Sequence, residues 1–147
     1  MDQLQAFLKR YGRRRNARCW LGPRPQVRTK ALPRAIASMV GLPTSHDGWT
    51  EKQDLRPVDR KRAARVLALV ATESLTYGRH VPRESYQKLA EAALGEFADD
   101  AVFLTNLAEG GEGFQLFLAK LTNATLDAGL ISYDVNNALI FWVEDED

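Results

Sequence analysis

The end of the sequence constrains the fold most, because two apolar runs flank a short turn signal. The runs are residues 129–133 and 138–143, and residues 134–137 between them supply the Asp and Asn that tight turns favour. The pattern predicts a terminal β-hairpin. Its second strand is apolar on both faces, so we expect helices to cover one face and another surface, such as a protein partner, to cover the other.

Two strong helical patterns occupy the middle of the sequence. Apolar residues recur at helical spacing from Val58 to Leu75 and again from Tyr86 to Phe97. Each pattern follows a proline, which can begin a helix because the first turn does not need its missing N–H. We therefore predict a long antiparallel helix pair at about residues 57–77 and 82–97.

Two shorter helices are predicted nearer the N-terminus. The first ends near Gly12, and the second begins at Pro33 and ends at Gly41. Between them, the breaker at residues 22–25 marks a loop or a short extended piece. From residue 101 onward the apolar spacing changes to that of strands. The predicted class is α+β, with N-terminal helices packed on a small C-terminal antiparallel sheet.

Length and composition indicate one globular domain spanning residues 1–147. The hydrophobic fraction of 45% and the charged fraction of 27% are ordinary for such a domain. The longest apolar runs have six residues, too few to cross a membrane, and no secretory signal pattern opens the sequence. The single cysteine, Cys19, cannot form an internal disulfide and suits a reducing compartment. We expect a cytoplasmic protein.

The formal net charge of +1 hides a strong division between the two halves of the sequence. Residues 1–65 carry 16 Lys and Arg against 5 Asp and Glu, whereas residues 66–147 carry 4 against 14. If the fold keeps the halves apart, a basic side suits phosphates or acidic proteins and an acidic side suits basic partners. If the halves pack together, their charges neutralise each other. The sequence leaves both arrangements open.

An arginine cluster provides one candidate surface: Arg13, Arg14, Arg15 and Arg18 precede Trp20. Guanidinium groups beside an aromatic ring are typical of nucleic-acid binding. Arginines can equally bind carboxylates or pack along the fold, and no known DNA- or RNA-binding motif is present.

The acidic C-terminus provides a second candidate surface, because four acids follow an apolar strand. Aromatic anchors rimmed by charge are a common composition of protein interfaces. The alternative is a solvated terminus that keeps an apolar edge strand soluble. The candidate partner-binding residues are Tyr133, Trp142, Glu144, Asp145, Glu146 and Asp147.

Few residues point to catalysis. His46 and His80 are the only histidines, neither has metal-site spacing, and one cysteine cannot complete a zinc set. We therefore predict no metal and no cofactor. Cys19 could be a nucleophile if a histidine approached it, although a buried structural thiol is the alternative. The glycine-rich residues 109–113 lack the Lys-Ser/Thr ending of a phosphate loop. No catalytic residue is predicted, and enzyme activity is left open.

Residues 121–147 resemble the endings of small bacterial immunity proteins that are encoded beside polymorphic or contact-dependent toxins. The resemblance covers about a fifth of the sequence, and no residue role carries over from it. It implies a cytosolic inhibitor that binds and occludes a toxin domain.

The main hypothesis is therefore a noncatalytic protein-binding module, an immunity or antitoxin-like inhibitor whose acidic end binds a basic toxin or enzyme partner. The alternative is a nucleic-acid-binding regulatory or phage-type protein that uses the arginine cluster. A third hypothesis, a small hydrolase or nuclease toxin, requires a histidine or Cys19 to meet carboxylates in a pocket.

Overall fold

The computed structural model describes residues 1–14, 16–43, 55–75, 81–110, 113–115, 122 and 126–145, and it has the predicted α+β class. None of the described helices is both long and apolar enough to cross a membrane. The helices are α1 (Asp2–Tyr11), α2 (Leu32–Ser38, preceded by a 3-10 turn at Thr29–Ala31), α3 (Arg60–Thr72) and α4 (Glu84–Leu94). The strands are β1 (Ala17–Pro23), β2 (Arg56–Val58), β3 (Val102–Thr105), β4 (Ala108–Gly110), β5 (Gly113–Gln115), β6 (Leu126–Tyr133) and β7 (Asn137–Asp145).

The main sheet has five strands in the order β1-β7-β6-β3-β2, and each neighbouring pair is antiparallel. Strands β4 and β5 form a separate pair. Both edge strands come from the N-terminal half, so the sheet is not built from the C-terminal part alone as predicted. The segment predicted as a loop or extended piece is strand β1, which pairs with β7 from Ala17↔Val143 to Pro23↔Asn137. Strand β7 is therefore internal, not an edge.

Helix α3 begins three residues later than predicted. Pro57 lies in edge strand β2, where its missing N–H does no harm, and Asp59 caps the helix by accepting a hydrogen bond from Arg62 N at 2.7 Å. The helix ends at Thr72, and Glu73 is extended. Helix α4 is likewise shorter than predicted, at Glu84–Leu94. Residues 76–80, predicted to join the two helices, lie outside the described residues.

The two apolar faces of β7 are both covered by the chain itself. One face packs with buried residues of α1, α3 and α4, and the other packs with α2, Leu42 and Leu55. Burying a large apolar side chain contributes about 1.5–3 kcal/mol, so this strand is a main source of stability. Facing the first layer are Leu139, Phe141 and Val143, and facing the second are Ala138, Ile140 and Trp142. The second face, for which we predicted a different cover such as a protein partner, is thus covered by α2.

The turn between β6 and β7 is held by the carboxylate of Asp134. Its Oδ1 accepts hydrogen bonds from Asn136 N at 2.9 Å and Asn137 N at 2.8 Å, and its Oδ2 accepts one from Ala98 N at 2.9 Å. Burial acts to raise the pKa of Asp134, but these amide donors and the nearby Arg24 outweigh it, and the pKa lies below its usual value. Asp134 therefore joins the turn to the segment that follows α4.

Replacing Asp134 with asparagine should destabilise the fold by about 1–3 kcal/mol at neutral pH, because charge-assisted bonds are lost. The folded pKa of Asp134 is below the unfolded value of about 3.9, so its stabilisation is present above that pH and is lost as the pH falls through the folded pKa. The difference between wild type and D134N, measured by urea unfolding, should shrink in acid. The exposed Asp99 provides the control, since D99N should change little at either pH. A D134N effect of equal size at neutral and acid pH would contradict this role.

Candidate protein-binding surface

The described residues of the acidic C-terminus bind within the chain. Glu144 Oε1 lies 2.6 Å from Arg18 Nε, and Asp145 Oδ2 accepts a hydrogen bond from Leu75 N at 2.6 Å. Residues 146–147 lie outside the described residues. The carboxylates of Glu144 and Asp145 thus hold β7 to its neighbours, which makes them structural residues before they can bind anything else.

The two aromatic residues predicted to anchor a partner are buried. Trp142 is 0% exposed, and its Nε1 donates a hydrogen bond to Asp127 Oδ1 at 3.3 Å. Tyr133 is 7% exposed, and the Arg24 guanidinium lies 5.5 Å from its ring centre. The alternation of the strands turns both rings into the layer beneath α2. Neither ring offers a surface to a partner, so the structure does not support them as interface anchors.

The predicted arginine cluster is divided between different parts of the fold. Arg14 donates to the carbonyl of Val70 at 2.7 Å, near the C-terminal end of α3. Arg18 donates to the carbonyl of Val40 at 2.9 Å, just beyond α2, which covers the opposite face of the sheet. The Val70 carbonyl belongs to the last turn of α3, where a helix leaves its carbonyls without an intrahelical partner, and the Val40 carbonyl belongs to the turn that follows α2. These two arginines are structural.

The remaining members of the arginine cluster differ in exposure. Arg13 is exposed, and Arg15 lies outside the described residues. Trp20 is half-buried and packs against the core on the α2 side of the sheet. The four described residues of this set, Arg13, Arg14, Arg18 and Trp20, therefore do not form one surface.

The basic and acidic halves of the chain pack together. Six ion pairs join described residues, and four of them connect residues 1–65 with residues 66–147. Two of the four use one carboxylate, Glu109, which binds Arg62 at 3.0 Å and Arg65 at 2.7 Å. Folding thus neutralises part of the charge division seen in the sequence. The charge of the surface depends on the residues that do not take part in these ion pairs.

Residues 3–43 contain no Asp or Glu, and this segment consists of the edge strand β1 with α1 before it and α2 after it. Helix α1 packs on one side of the sheet and α2 on the other. The ends of these helices border β1, because a Cβ on Gly12 would lie 3.0 Å from Cys19 Sγ and one on Gly41 would lie 3.4 Å from the Arg18 guanidinium. We name β1 and the exposed cations of this segment the basic edge; those cations are Lys9, Arg10, Arg13, Arg28, Lys30 and Arg34.

Exposed aliphatic side chains lie on or beside the basic edge. Val27 is 44% exposed and Met39 is 50% exposed, and both belong to the segment without acids. Val135, 68% exposed, lies in the β6–β7 turn, which is joined to the segment by a hydrogen bond from Arg24 N to Asn136 O at 2.9 Å. Arginine and methionine are enriched at protein interfaces, and exposed apolar side chains rimmed by polar groups mark binding surfaces.

No family model matches this chain, and no curated protein or solved structure is significantly similar to it. Inference about its function therefore rests on the chain's own surface. The basic edge combines exposed charges of one sign with exposed apolar side chains, whereas the exposed Val81 and Leu89 have both acidic and basic exposed neighbours in the sequence.

The candidate nucleophile Cys19 lies on β1 and packs against the core on the α1 side. Burial raises the pKa of its thiol to about 12, because a low-polarity environment disfavours the thiolate. His46 and His80 lie outside the described residues. Among the residues that are described, no three His, Cys, Asp or Glu side chains are grouped as a metal site would need. The thiol of Cys19 is a structural group at neutral pH.

Cys19 in the folded protein should react with iodoacetamide about a thousandfold more slowly than in the unfolded protein near pH 8. The reason is that its thiolate fraction falls about tenfold for each unit by which the pKa rises. Mass spectrometry of alkylated samples taken over time, with and without urea, measures the ratio. Equal rates in both conditions would show that the thiol is ionised and accessible.

Proposed function

We propose that this protein is a noncatalytic binding module that inhibits a partner protein by covering the partner's working surface, and that it binds through the basic edge. The observation that carries the proposal is the segment without acids at residues 3–43, which contains the edge strand β1, six exposed cations and the exposed Val27 and Met39. A surface of this sign attracts an acidic partner and speeds the encounter, while the apolar contacts prolong the complex.

The inhibitory role is suggested by the resemblance of residues 121–147 to bacterial immunity proteins. On this proposal the partner is a toxin or enzyme domain in the bacterial cytoplasm. The acidic residues Glu144 and Asp145 contribute by holding the scaffold together, since they bind Arg18 and Leu75 N within the chain. The partner surface is accordingly acidic, not basic as the sequence had suggested.

The described surface suits an acidic protein better than a single nucleic-acid strand. Binding of unpaired bases relies on exposed aromatic rings, and no aromatic side chain among the described residues is exposed. The exposed large apolar residues are aliphatic or methionine. In addition, Arg14 and Arg18 already donate to backbone carbonyls within the fold. Nucleic-acid binding is therefore the alternative, and capture with and without nuclease distinguishes it from binding to a protein.

The proposal is tested by affinity capture from a native-host lysate, with and without nuclease. We expect one stoichiometric protein partner that resists nuclease and whose activity is inhibited by the purified chain. The variant R28E/K30E should weaken its binding about tenfold or more, mainly through slower association. The control R56E/K61E makes the same change of charge at exposed positions on β2 and α3, near the opposite edge of the sheet, and should bind normally.

Two outcomes would contradict the proposal. The first is capture of nucleic acid alone, removed by nuclease or by salt, because binding to phosphates weakens steeply as salt rises. The second is equal binding by wild type and R28E/K30E, which would place the interface elsewhere on the protein.

A further inference from the structure

The two edges of the main sheet differ in how well they are protected against further pairing. Strand β2 has three residues and carries Pro57 in its middle, whereas β1 has seven residues and its only proline is the last. Natural sheets protect their edges with short strands, prolines and charges, because a long open edge can pair with another strand. Of the two edges, β1 is the one with room for an added strand.

The pairing of β1 with β7 shows which backbone groups point outward. Glu144 N donates to Asn16 O and Arg24 N donates to Asn136 O, both at 2.9 Å, in register with the ends of β1. Residues of an antiparallel pair alternate between bonding to the partner strand and pointing away from it. The even-numbered residues from 16 to 24 therefore bond to β7. The residues whose backbone groups point outward are Ala17, Cys19, Leu21 and Pro23.

Two of these four residues have an outward N–H and an outward C=O that bond to no other described residue. Ala17 N already donates to Arg14 O at 3.0 Å, and Pro23 has no N–H. Cys19 and Leu21 each keep an outward N–H and an outward C=O, and the carbonyls of Ala17 and Pro23 flank them. An arriving strand would thus meet donors and acceptors two residues apart, in the spacing of an antiparallel ladder.

The charge around this edge determines which kind of strand can pair with β1. The end of α1 borders Cys19, and the exposed Lys9, Arg10 and Arg13 lie at or just beyond that end. A second copy of the chain, paired through its own β1, would bring the same cations across a two-fold axis, and like charges would repel. An extended strand with acidic side chains would instead be attracted to both flanks of the edge.

We infer that β1 receives an extended acidic segment of the partner as an added antiparallel strand of the main sheet. The inference rests on the proposed function and specifies how the partner binds. In this binding mode the backbone bonds to Cys19 and Leu21 supply affinity, and alternate side chains of the added strand supply specificity through the cations at the edge.

The test selects binders of the full chain from a displayed library of random octapeptides. We expect enriched peptides that alternate acidic with β-branched residues, and slower amide hydrogen exchange at Cys19 and Leu21 when a synthetic copy binds. L21P removes an outward N–H but leaves the even-numbered residues bonded to β7, so it should weaken peptide binding about tenfold, and L21T should bind normally. A thermal melt shows whether each variant is folded, and the exchange measurement on wild type needs no variant.

Several results would overturn the inference: no enrichment, enrichment of basic peptides, unchanged exchange at both amides, or self-association of the chain through β1. Binding of a short single-stranded DNA without any peptide binding would also overturn it. The two proposals can fail separately. If R28E/K30E loses the partner and folded L21P retains it, the proposed function stands and strand addition does not. If both variants retain the partner, the basic edge is not the interface.

Discussion

Replacing Gly129 with alanine should strongly destabilise the main sheet. Gly129 lies on β6 directly opposite Trp142 on β7. A Cβ at this position would overlap the carbonyl oxygen of Phe141, and it would lie 2.5 Å from Trp142 Cε3 and 2.8 Å from Trp142 Cα. Two of these three atoms are backbone, so rotating a side chain cannot relieve the overlap and the two strands would have to separate.

We expect G129A to cost about 3–5 kcal/mol, a large part of the stability of an ordinary domain. Soluble yield, circular dichroism and urea unfolding measure the effect. The control is G95A, at the exposed end of α4, where the backbone is helical with φ of −62° and an added Cβ would lie 3.1 Å from Glu91 O, a close contact without the overlap seen at Gly129. Alanine there should change stability by about 1 kcal/mol or less. If G129A and G95A unfold at the same urea concentration, the close approach of β6 and β7 is not as described.

Replacing Trp142 with alanine should destabilise the fold, because Trp142 is a buried core residue and not an exposed binding residue. The side chain is 0% exposed, lies in the layer between the sheet and α2, and donates its Nε1 hydrogen to the buried Asp127. Truncating a buried Trp costs about 3–5 kcal/mol, because the apolar contacts are lost and a cavity remains. W142F keeps most of the ring contacts but removes the Nε1 donor, so it should cost about 1–3 kcal/mol.

Thermal unfolding, together with binding by the folded fraction, separates these two roles of Trp142. V135A provides the control, because Val135 is 68% exposed and its truncation should change stability by about 0.5 kcal/mol or less. A W142A protein that melts like wild type but no longer binds its partner would restore the tryptophan to the interface and contradict its burial here.

Local patterns were sufficient to predict the class of the fold and much of its core. The apolar runs at residues 129–133 and 138–143 lie within β6 and β7, and the helical spacing between Val66 and Leu69 lies within α3. Periodicity reveals such segments because neighbouring residues alone decide which side of a helix or strand is apolar. The predicted start of α3 was wrong, because Pro57 suits an edge strand as well as the first turn of a helix.

The strand β1 could not be predicted from its own residues. Gly22 and Pro23 have the signature of a loop, and the strand forms because it pairs with β7, more than 110 residues away, over Ala17↔Val143 to Pro23↔Asn137. An edge strand tolerates proline at its end, so these residues cost little once the partner strand is present. The same distant pairing makes β7 an internal strand, a question that the sequence had left open.

The residues available for binding differ from the predicted ones for a related reason. Composition showed that the N-terminal half is basic, but it could not show that Arg14 and Arg18 would donate to backbone carbonyls while Arg28 and Lys30 would remain exposed. Nor could it show that Trp142 faces α2. The outward position of the backbone groups of Cys19 and Leu21 also depends on tertiary structure, because it is set by the register in which β1 pairs with β7.

By itself, the sequence determined the α+β class, the apolar segments and the absence of acids in residues 3–43. Only the tertiary structure decided which face each segment buries, which charges are paired and which sheet edge stays open. The physical reason is the separation in sequence between the residues that decide each property. Periodicity and composition depend on neighbouring residues, whereas burial, ion pairing and strand order depend on which distant segments meet, and here the first forty residues meet the last twenty across β1 and β7.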